Sequence, residues 1–391
     1  MKQGQFLPAY LMLFGIAVST GCKKENSEAA IAPKEEACKP VTFLSTATAN
    51  YIVLLNVVSQ NARYLPVIAQ QKISLVLQRH RIAASSISNT FYGDACGFVA
   101  RLSATEANML SQDSSVSNVE FDRVIKLGTN CFAIVSPGTA QWGVRLTGAG
   151  NGVGKTVWVI DTGVDFTHPD LTVDKQRSRN FVNAQQTAND DNGHGTHVAG
   201  IIAAMNNSTG TLGVASGAAI VSLKVLNSEG EGNTSFILQA LNYIGQQAKA
   251  GDVVNMSLGT DTVSAVLDNT LKTVANKGIL FAIAAGNSSQ PARLSSPARV
   301  NHPNVFTVSA IDSTGRFAGF SNYGNDVVDY AAPGVRIVST YSNGRYARLS
   351  GTSMAAPHVA GILLLNGTKI VAKGRAGHDP DGMSDAIAGV Y

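Results

Sequence analysis

From about residue 141 onward the chain is built around short, nearly all-apolar runs: KTVWVID (155–161), AIVSLKV (219–225), DVVNMS (252–257), ILFAIAA (279–285) and NVFTVSA (304–310). They lack the apolar–polar alternation of a strand with one wet face, so each must be buried on both faces. Helical stretches at 194–205, 234–249 and 262–277 separate several of them. Buried strands alternating with helices specify an α/β domain with a parallel central sheet and helices on both faces, here 141–391. In such sheets ligands bind beyond the carboxyl ends of the strands. No internal repeat is evident.

With 391 residues the chain has room for a second unit. YIVLL opens it, followed by a helical stretch near 61–79, short strands in SISNTFYG and CGFVARLS, and a helix whose start carries the capping box Ser103-x-x-Glu106. VSNVEFD is its last strand. This strand–helix–strand–strand–helix–strand order is the split βαβ pattern of a small α+β, ferredoxin-like domain, placed at 41–127. The stretch 128–140 has Gly, Pro, Asn and Thr without periodicity and reads as a linker.

The N-terminus carries a targeting signal. Lys2 precedes an apolar run at 6–18, long enough for a signal-peptide core and short for a bilayer span. The run leads into Val18-Ser19-Thr20-Gly21-Cys22, which resembles a bacterial lipoprotein signal over 1–21, with Cys22 as the lipidated residue. Ser19 departs from the aliphatic residue usual at that position, and simple cleavage after Ser19 is the competing reading. Either way the chain is exported. Residues 22–40, charged and rich in Ala and Pro, read as a tether. Beyond Cys22, the cysteines Cys38, Cys96 and Cys131 form an odd set whose pairing is not deducible. Net charge is only +4 and no basic cluster is interleaved with aromatics, which excludes a nucleic-acid partner.

The stretch LSGTSMAAPHVAGILLL (349–365) places a serine, Ser353, at the mouth of an apolar helix. Taken alone, Thr352 and Ser353 would be helix caps. The alternative makes Ser353 a nucleophile at the positive end of a helix dipole, which requires a base and a group to orient it. Asp161 ends the strand TVWVID, and His194 opens a helix within NGHGTHVAG. Imidazole titrates near neutrality and can take the serine proton, while a carboxylate fixes its tautomer. Asp, His, Ser in that chain order is the order of subtilisin.

VIDTGVDFTHPDL, NGHGTHVAG and LSGTSMAAPHVAG resemble, in order, the three active-site motifs of the subtilisin-like serine proteases (subtilases), and the likeness spans about 141–366. The resemblance implies a subtilisin-like fold and an endopeptidase. Asp161 would be its orienting acid, His194 its general acid and base, and Ser353 its nucleophile. AIAAGNSS (282–289) is similar to the family's oxyanion motif, which implies that the Asn287 amide and the Ser353 N–H hold the oxyanion. Substrate would lie as an added strand between Gly230-Glu231-Gly232 and the NMSLG segment, with Ser257-Leu258-Gly259 and Ala284-Ala285-Gly286 walling an apolar first pocket.

AMNNSTGTLGVA (204–215) resembles the family's calcium loop. That implies a structural Ca²⁺ held by the Asp170 carboxylate, the Asn207 side-chain oxygen and the carbonyls of Met205, Thr209 and Thr211; a purely structural Asn-Gly loop is the alternative. The chemistry itself would need no cofactor. The 41–127 region resembles the inhibitory propeptide of these proteases, so the implied partners are protein or peptide substrates and the chain's own propeptide, and the enzyme would be a monomer. Cleavage within 123–140 would release the protease from its anchor. The tail after Leu365 departs from the family, lacks its long final helices and carries a DPDG turn. A catalytically dead binding lipoprotein is disfavoured because Asp161, His194, Asn287 and Ser353 are all present. A lipase or esterase is disfavoured because Ser353 lacks a Gly-x-Ser-x-Gly elbow.

Overall fold

A computed structural model describes residues 49–56, 65–128, 132–138 and 141–391. The signal, the tether, Cys22, Cys38 and Cys131 lie outside the described residues. The first domain comprises β1 (Asn50–Leu55), α1 (Leu65–His80), β2 (Ile87–Phe91), β3 (Gly97–Arg101), α2 (Ala104–Ser111) and β4 (Val116–Phe121). Its antiparallel sheet runs β2-β3-β1-β4, the order that split βαβ connections produce. The capping box at α2 is formed, with Ser103 and Glu106 each accepting from the other's backbone N–H.

The pleat divides this sheet between two cores. Tyr51, Val53, Phe98 and Ala100 pack with α1 and α2, while Ile52, Phe91 and Val99 enter the core of the larger domain.

In the larger domain α3 is Trp142–Thr147, α4 His194–Ala203, α5 Thr234–Gln247, α6 Ala265–Ala275 and α7 Thr352–Asn366. The central strands Ala219–Lys224, Thr156–Asp161, Val253–Met256, Leu280–Ala284, Val305–Ile311 and Tyr330–Pro333 are neighbours in that order and all parallel. Alternate residues serve opposite faces: Val157 and Val159 join the core around α4 and α7, and Trp158 and Ile160 the core around α5 and α6. Helix α4 is buried at every residue, and α7 from Thr352 to Leu364, which accounts for their apolar composition on all sides.

Three features add to these expectations. The sheet is not parallel throughout: the tail folds into a hairpin, Val371–Arg375 with Ala386–Gly389, whose second strand pairs parallel with Tyr330–Pro333 and whose first is an antiparallel edge. The small domain's chain does not end as β4 suggests. It continues into β5 (Val124–Lys126), which pairs with Glu231–Asn233 of the larger domain. Within 128–140, the linker, β6 (Ala133–Ile134) pairs with Arg345–Leu349. Strands this short, completed only by distant partners, leave no periodicity to read.

Polar contacts lock the small domain onto α5 and α6. Asn242 exchanges two 2.8 Å bonds with the backbone of Ala95, and Lys277 meets Asp94 at 2.7 Å. Two carboxylates sit at helix N-termini, where free N–H groups and the dipole favour them. Asp122 accepts from the Ser235 N–H and hydroxyl, and Glu120 from the Val266 N–H and the Ser264 hydroxyl. Cys96 is a buried free thiol in this domain.

Candidate active site

Asp161, His194 and Ser353 are carried by a strand end and two helix starts. Asp161 is fully buried, and its Oδ1 lies 2.7 Å from His194 Nδ1. The approach is close because Gly195 has no side chain: a Cβ there would stand 2.0 Å from Gly163 O. Asp190, which the sequence reading passed over, fastens the start of α4. Its carboxylate accepts from Gly193 N, Thr196 N, Thr196 Oγ1 and Thr162 Oγ1. Lys224, also overlooked, is buried with its ammonium on Thr162 O, Leu226 O and Asp191 Oδ1. An acidic pair just before Gly-His and a lysine ending an apolar strand were the available signals.

With Nδ1 on the carboxylate, His194 presents Nε2, which has no partner among the described residues. Ser353 Oγ donates to Ser257 O at 3.1 Å and makes no hydrogen bond to His194. Neither Thr352 nor Ser353 caps α7, whose start has no side-chain cap. Thr352 orients Asn287 instead: its N–H and hydroxyl both donate to Asn287 Oδ1, at 2.8 and 2.9 Å. That turns the Asn287 NH₂ toward the cleft, where a Cβ on Gly128 would lie 3.9 Å from Nδ2. The Ser353 N–H lies in the first turn of α7, where no intrahelical partner exists.

Ser257, Leu258, Gly259, Ala284, Ala285 and Gly286 line one cavity of about 140 Å³, with Asn287, Ser353 and, from the chain's own upstream segment, Lys126, Leu127 and Gly128. That segment lies as β5 along the opposing edge, Glu231 opposite Lys126 and Gly232 opposite Ile125, and Leu127 N donates to Gly230 O at 2.9 Å. Lys126 Nζ meets Glu231 Oε1 at 2.6 Å. The chain therefore lies in its own cleft.

Residues 152–369 match the subtilase family (Peptidase S8). The chain belongs to this family. It is 40% identical over 271 residues to the M-protease of Shouchella clausii, spanning 68% of this chain and 67% of that protein. Over 214 residues it is 44% identical to Subtilisin Savinase of Lederbergia lenta, 55% of this chain and 76% of the relative. The crystal structure of a cold adapted subtilisin-like serine proteinase superposes with a TM-score of 0.57 at 33% identity, covering 65% of this chain and 99% of that one. This subtilase is a serine endopeptidase with a subtilisin-like fold.

Two further histidines of the subtilase are kept neutral. Burial, together with the charge of His194, lowers His197 to about 3, and its Nε2 lies between Ile337 O and Ala347 O. Burial lowers His358 to about 4.

The expected calcium loop wraps the buried Asp170. A Cβ on Gly210 would fall 1.7 Å from Asp170 Oδ2, so the loop is moulded to the carboxylate. The carbonyls of Met205, Thr209 and Thr211 accept no hydrogen bond from a described residue, and Thr211 Oγ1 is buried without a partner. These hard oxygens suit Ca²⁺. Asn207 differs from expectation: its Nδ2 donates to Asp170 Oδ1 at 2.8 Å while its Oδ1 accepts from Thr209. Tyr346 OH also donates to Asp170 Oδ2, at 2.7 Å.

Proposed function

We propose that this subtilase is made as an exported zymogen and cleaves peptide bonds, its own included, with Asp161, His194, Ser353 and Asn287. The observation that carries this reading is the chain's own strand β5 in the cleft, with Gly128 beside Ser353 and Asn287. Ser353 Oγ leaves Ser257 O and attacks the carbonyl carbon while His194 Nε2 takes its proton. Asp161 holds Nδ1–H and offsets the imidazolium charge. Asn287 Nδ2 and the Ser353 N–H receive the oxyanion. Collapse expels the amine, which takes the proton from His194 and leaves an acyl-serine; water then enters by the reverse path and frees the acid and the serine.

The self-cleaved bond is the one after Gly128. Once cut, the 41–127 domain stays on α5 and α6 through Asp122, Glu120, Asn242 and Lys277, with β5 blocking the cleft as a competitive inhibitor. If Cys22 carries lipid, the anchor remains on the inhibitor, and its degradation releases the protease.

N-terminal sequencing tests this directly. The wild type should yield a new terminus at Thr129 and label with a fluorophosphonate at Ser353, and Ser353→Ala should stay full length and unlabelled. Self-cleavage undiminished in Ser353→Ala would end the assignment. Cell fractionation checks the anchor: the catalytic half should leave the membrane fraction once the cut inhibitor is degraded.

A Ca²⁺ ion would be held by Asp170, by the carbonyls of Met205, Thr209 and Thr211, and by Asn207 Oδ1 after its amide turns over. Its contribution is stability, by tying the loop after α4 to the segment after Asp161.

A further inference from the structure

The described chain resumes at Phe132, beside the strand Arg345–Leu349. There Phe132 stacks on Tyr341, with centroids 5.1 Å apart and planes 26° apart. Next, β6 pairs antiparallel with Arg345–Leu349, placing Ala133 opposite Arg348 and Ile134 opposite Ala347. Val135 N extends the contact by donating to Tyr346 O at 3.0 Å. The strand Arg345–Leu349 has Ile337–Tyr341 on its other side, so β6 covers its one open edge.

The ring that receives Phe132 is rigidly seated. Tyr341 is 5% exposed, and a Cβ on Gly193 would lie 2.3 Å from its Cζ, so the ring rests on the residue immediately before His194. The Arg345 guanidinium, 5.7 Å from the ring centroid, supports it from its own strand. Phe132 by contrast is 47% exposed. A fixed aromatic platform beside an open strand edge is what a binding subsite for an extended polypeptide requires.

We propose that Tyr341 and the edge of Arg345–Leu349 form a subsite for the leaving side of the substrate, selecting a planar aromatic side chain at the fourth residue beyond the cleaved bond. The proposal rests on cleavage after Gly128, which makes Phe132 that fourth residue. Before the cut β6 fills the subsite; once the new N-terminus departs, the same edge and ring are open to an unfolded protein segment.

The test compares peptides that share one cleavable bond and carry Phe or Ala at the second, third or fourth position beyond it. A Phe/Ala ratio of kcat/KM of about threefold to tenfold is expected at the fourth position, the size of one aromatic pair. The ratio is taken within each variant, so a general loss of activity divides out. It should fall to about one in Tyr341→Leu and persist in Tyr341→Phe, and Phe132→Ala should slow self-cleavage of the precursor. A wild-type ratio near one at the fourth position, or a ratio that survives Tyr341→Leu, overturns the subsite. A nitroanilide substrate, which has no leaving-side residue, reports the catalytic reading alone. If it is hydrolysed while the ratios fail, only the subsite falls; if it is not hydrolysed, both fall.

Discussion

Ser257 and Ser353 hold each other by two hydrogen bonds that run in opposite directions. Ser353 Oγ donates to Ser257 O at 3.1 Å, and Ser257 Oγ donates to Ser353 O at 2.8 Å. The second bond explains the proline inside α7. Pro357 stands four residues after Ser353 and has no N–H, so the Ser353 carbonyl loses its intrahelical donor. The missing N–H is thus not one of the helix-start orphans; the Ser257 hydroxyl replaces it. Asn255 Nδ2 in turn donates to Ser257 Oγ at 2.9 Å.

Ser257→Ala should therefore cost about 1–3 kcal/mol, the penalty of a buried acceptor left unpaired. Pro357→Ala restores a donor to the same carbonyl, so the double variant should recover most of that loss. Melting in the Ser353→Ala background, which blocks self-digestion, measures it. Strictly additive losses would show that the Ser257 hydroxyl does not stand in for the proline N–H.

The tail hairpin should make stability fall with rising pH. Asp385 is pushed up to about 7, first by burial and then by the neighbouring carboxylates Asp379, Asp381 and Asp329, against the opposing bond from the Ser309 hydroxyl. Burial likewise raises Asp329 to about 6. Both values lie above the ordinary carboxyl near 3.8, so the stabilisation is full below about pH 4 and is lost as pH rises through 6 and 7. Asp385→Asn keeps the neutral form at every pH. It should flatten the decline and melt at least ~2–4 °C above the wild-type chain at pH 8, the shift expected for ~1 kcal/mol. Equal melting at pH 8 would remove Asp385 as the cause.

How much of this was legible follows the range of each interaction. The fully apolar runs and the three long motifs encode their own surroundings, so the parallel sheet and the strand-end and helix-start placements of Asp161, His194 and Ser353 could be read directly. The split βαβ order of the small domain was readable for the same reason, because each element carries its own periodicity. What could not be read depends on partners far away in sequence. Thr352 looks like a cap until Asn287, 65 residues earlier, is brought to it. Val124–Lys126 and Ala133–Ile134 become strands only because the larger domain supplies their other halves. The edge strand of the tail is polar and short, with Lys373 and Arg375 on it, and has no pattern of its own.

Terbium offers a check on the proposed calcium site. Tyr346 OH lies 2.7 Å from the Asp170 carboxylate, close enough to pass excitation energy to an ion bound there. Exciting the Ser353→Ala chain at the tyrosine band should give terbium emission that calcium displaces, and calcium should raise its melting temperature. Tyr346→Phe should dim the emission while keeping the calcium-dependent shift, and Asp170→Asn should lose both. A melting temperature indifferent to both chelator and added calcium would leave the loop as a hydrogen-bonded turn around Asp170.

The contact between Lys126 and Glu231 predicts how the cleft ranks its substrates. With the cut after Gly128, Lys126 is the third residue before the cleaved bond, and its ammonium lies 2.6 Å from Glu231 Oε1. Both side chains keep partial contact with water, at 29% and 40% exposure, so the pair is screened and worth about 0–1 kcal/mol. The expected preference for Lys or Arg over Gln at that position is thus at most about fivefold in kcat/KM, and weaker in molar salt. Glu231→Gln should abolish it without changing the ranking of apolar residues next to the cleaved bond, because that pocket is walled by Ser257–Gly259 and Ala284–Gly286 instead. A peptide library profiled with both enzymes at low and high salt decides the matter: a basic preference that outlives Glu231→Gln would have to come from another carboxylate along the cleft.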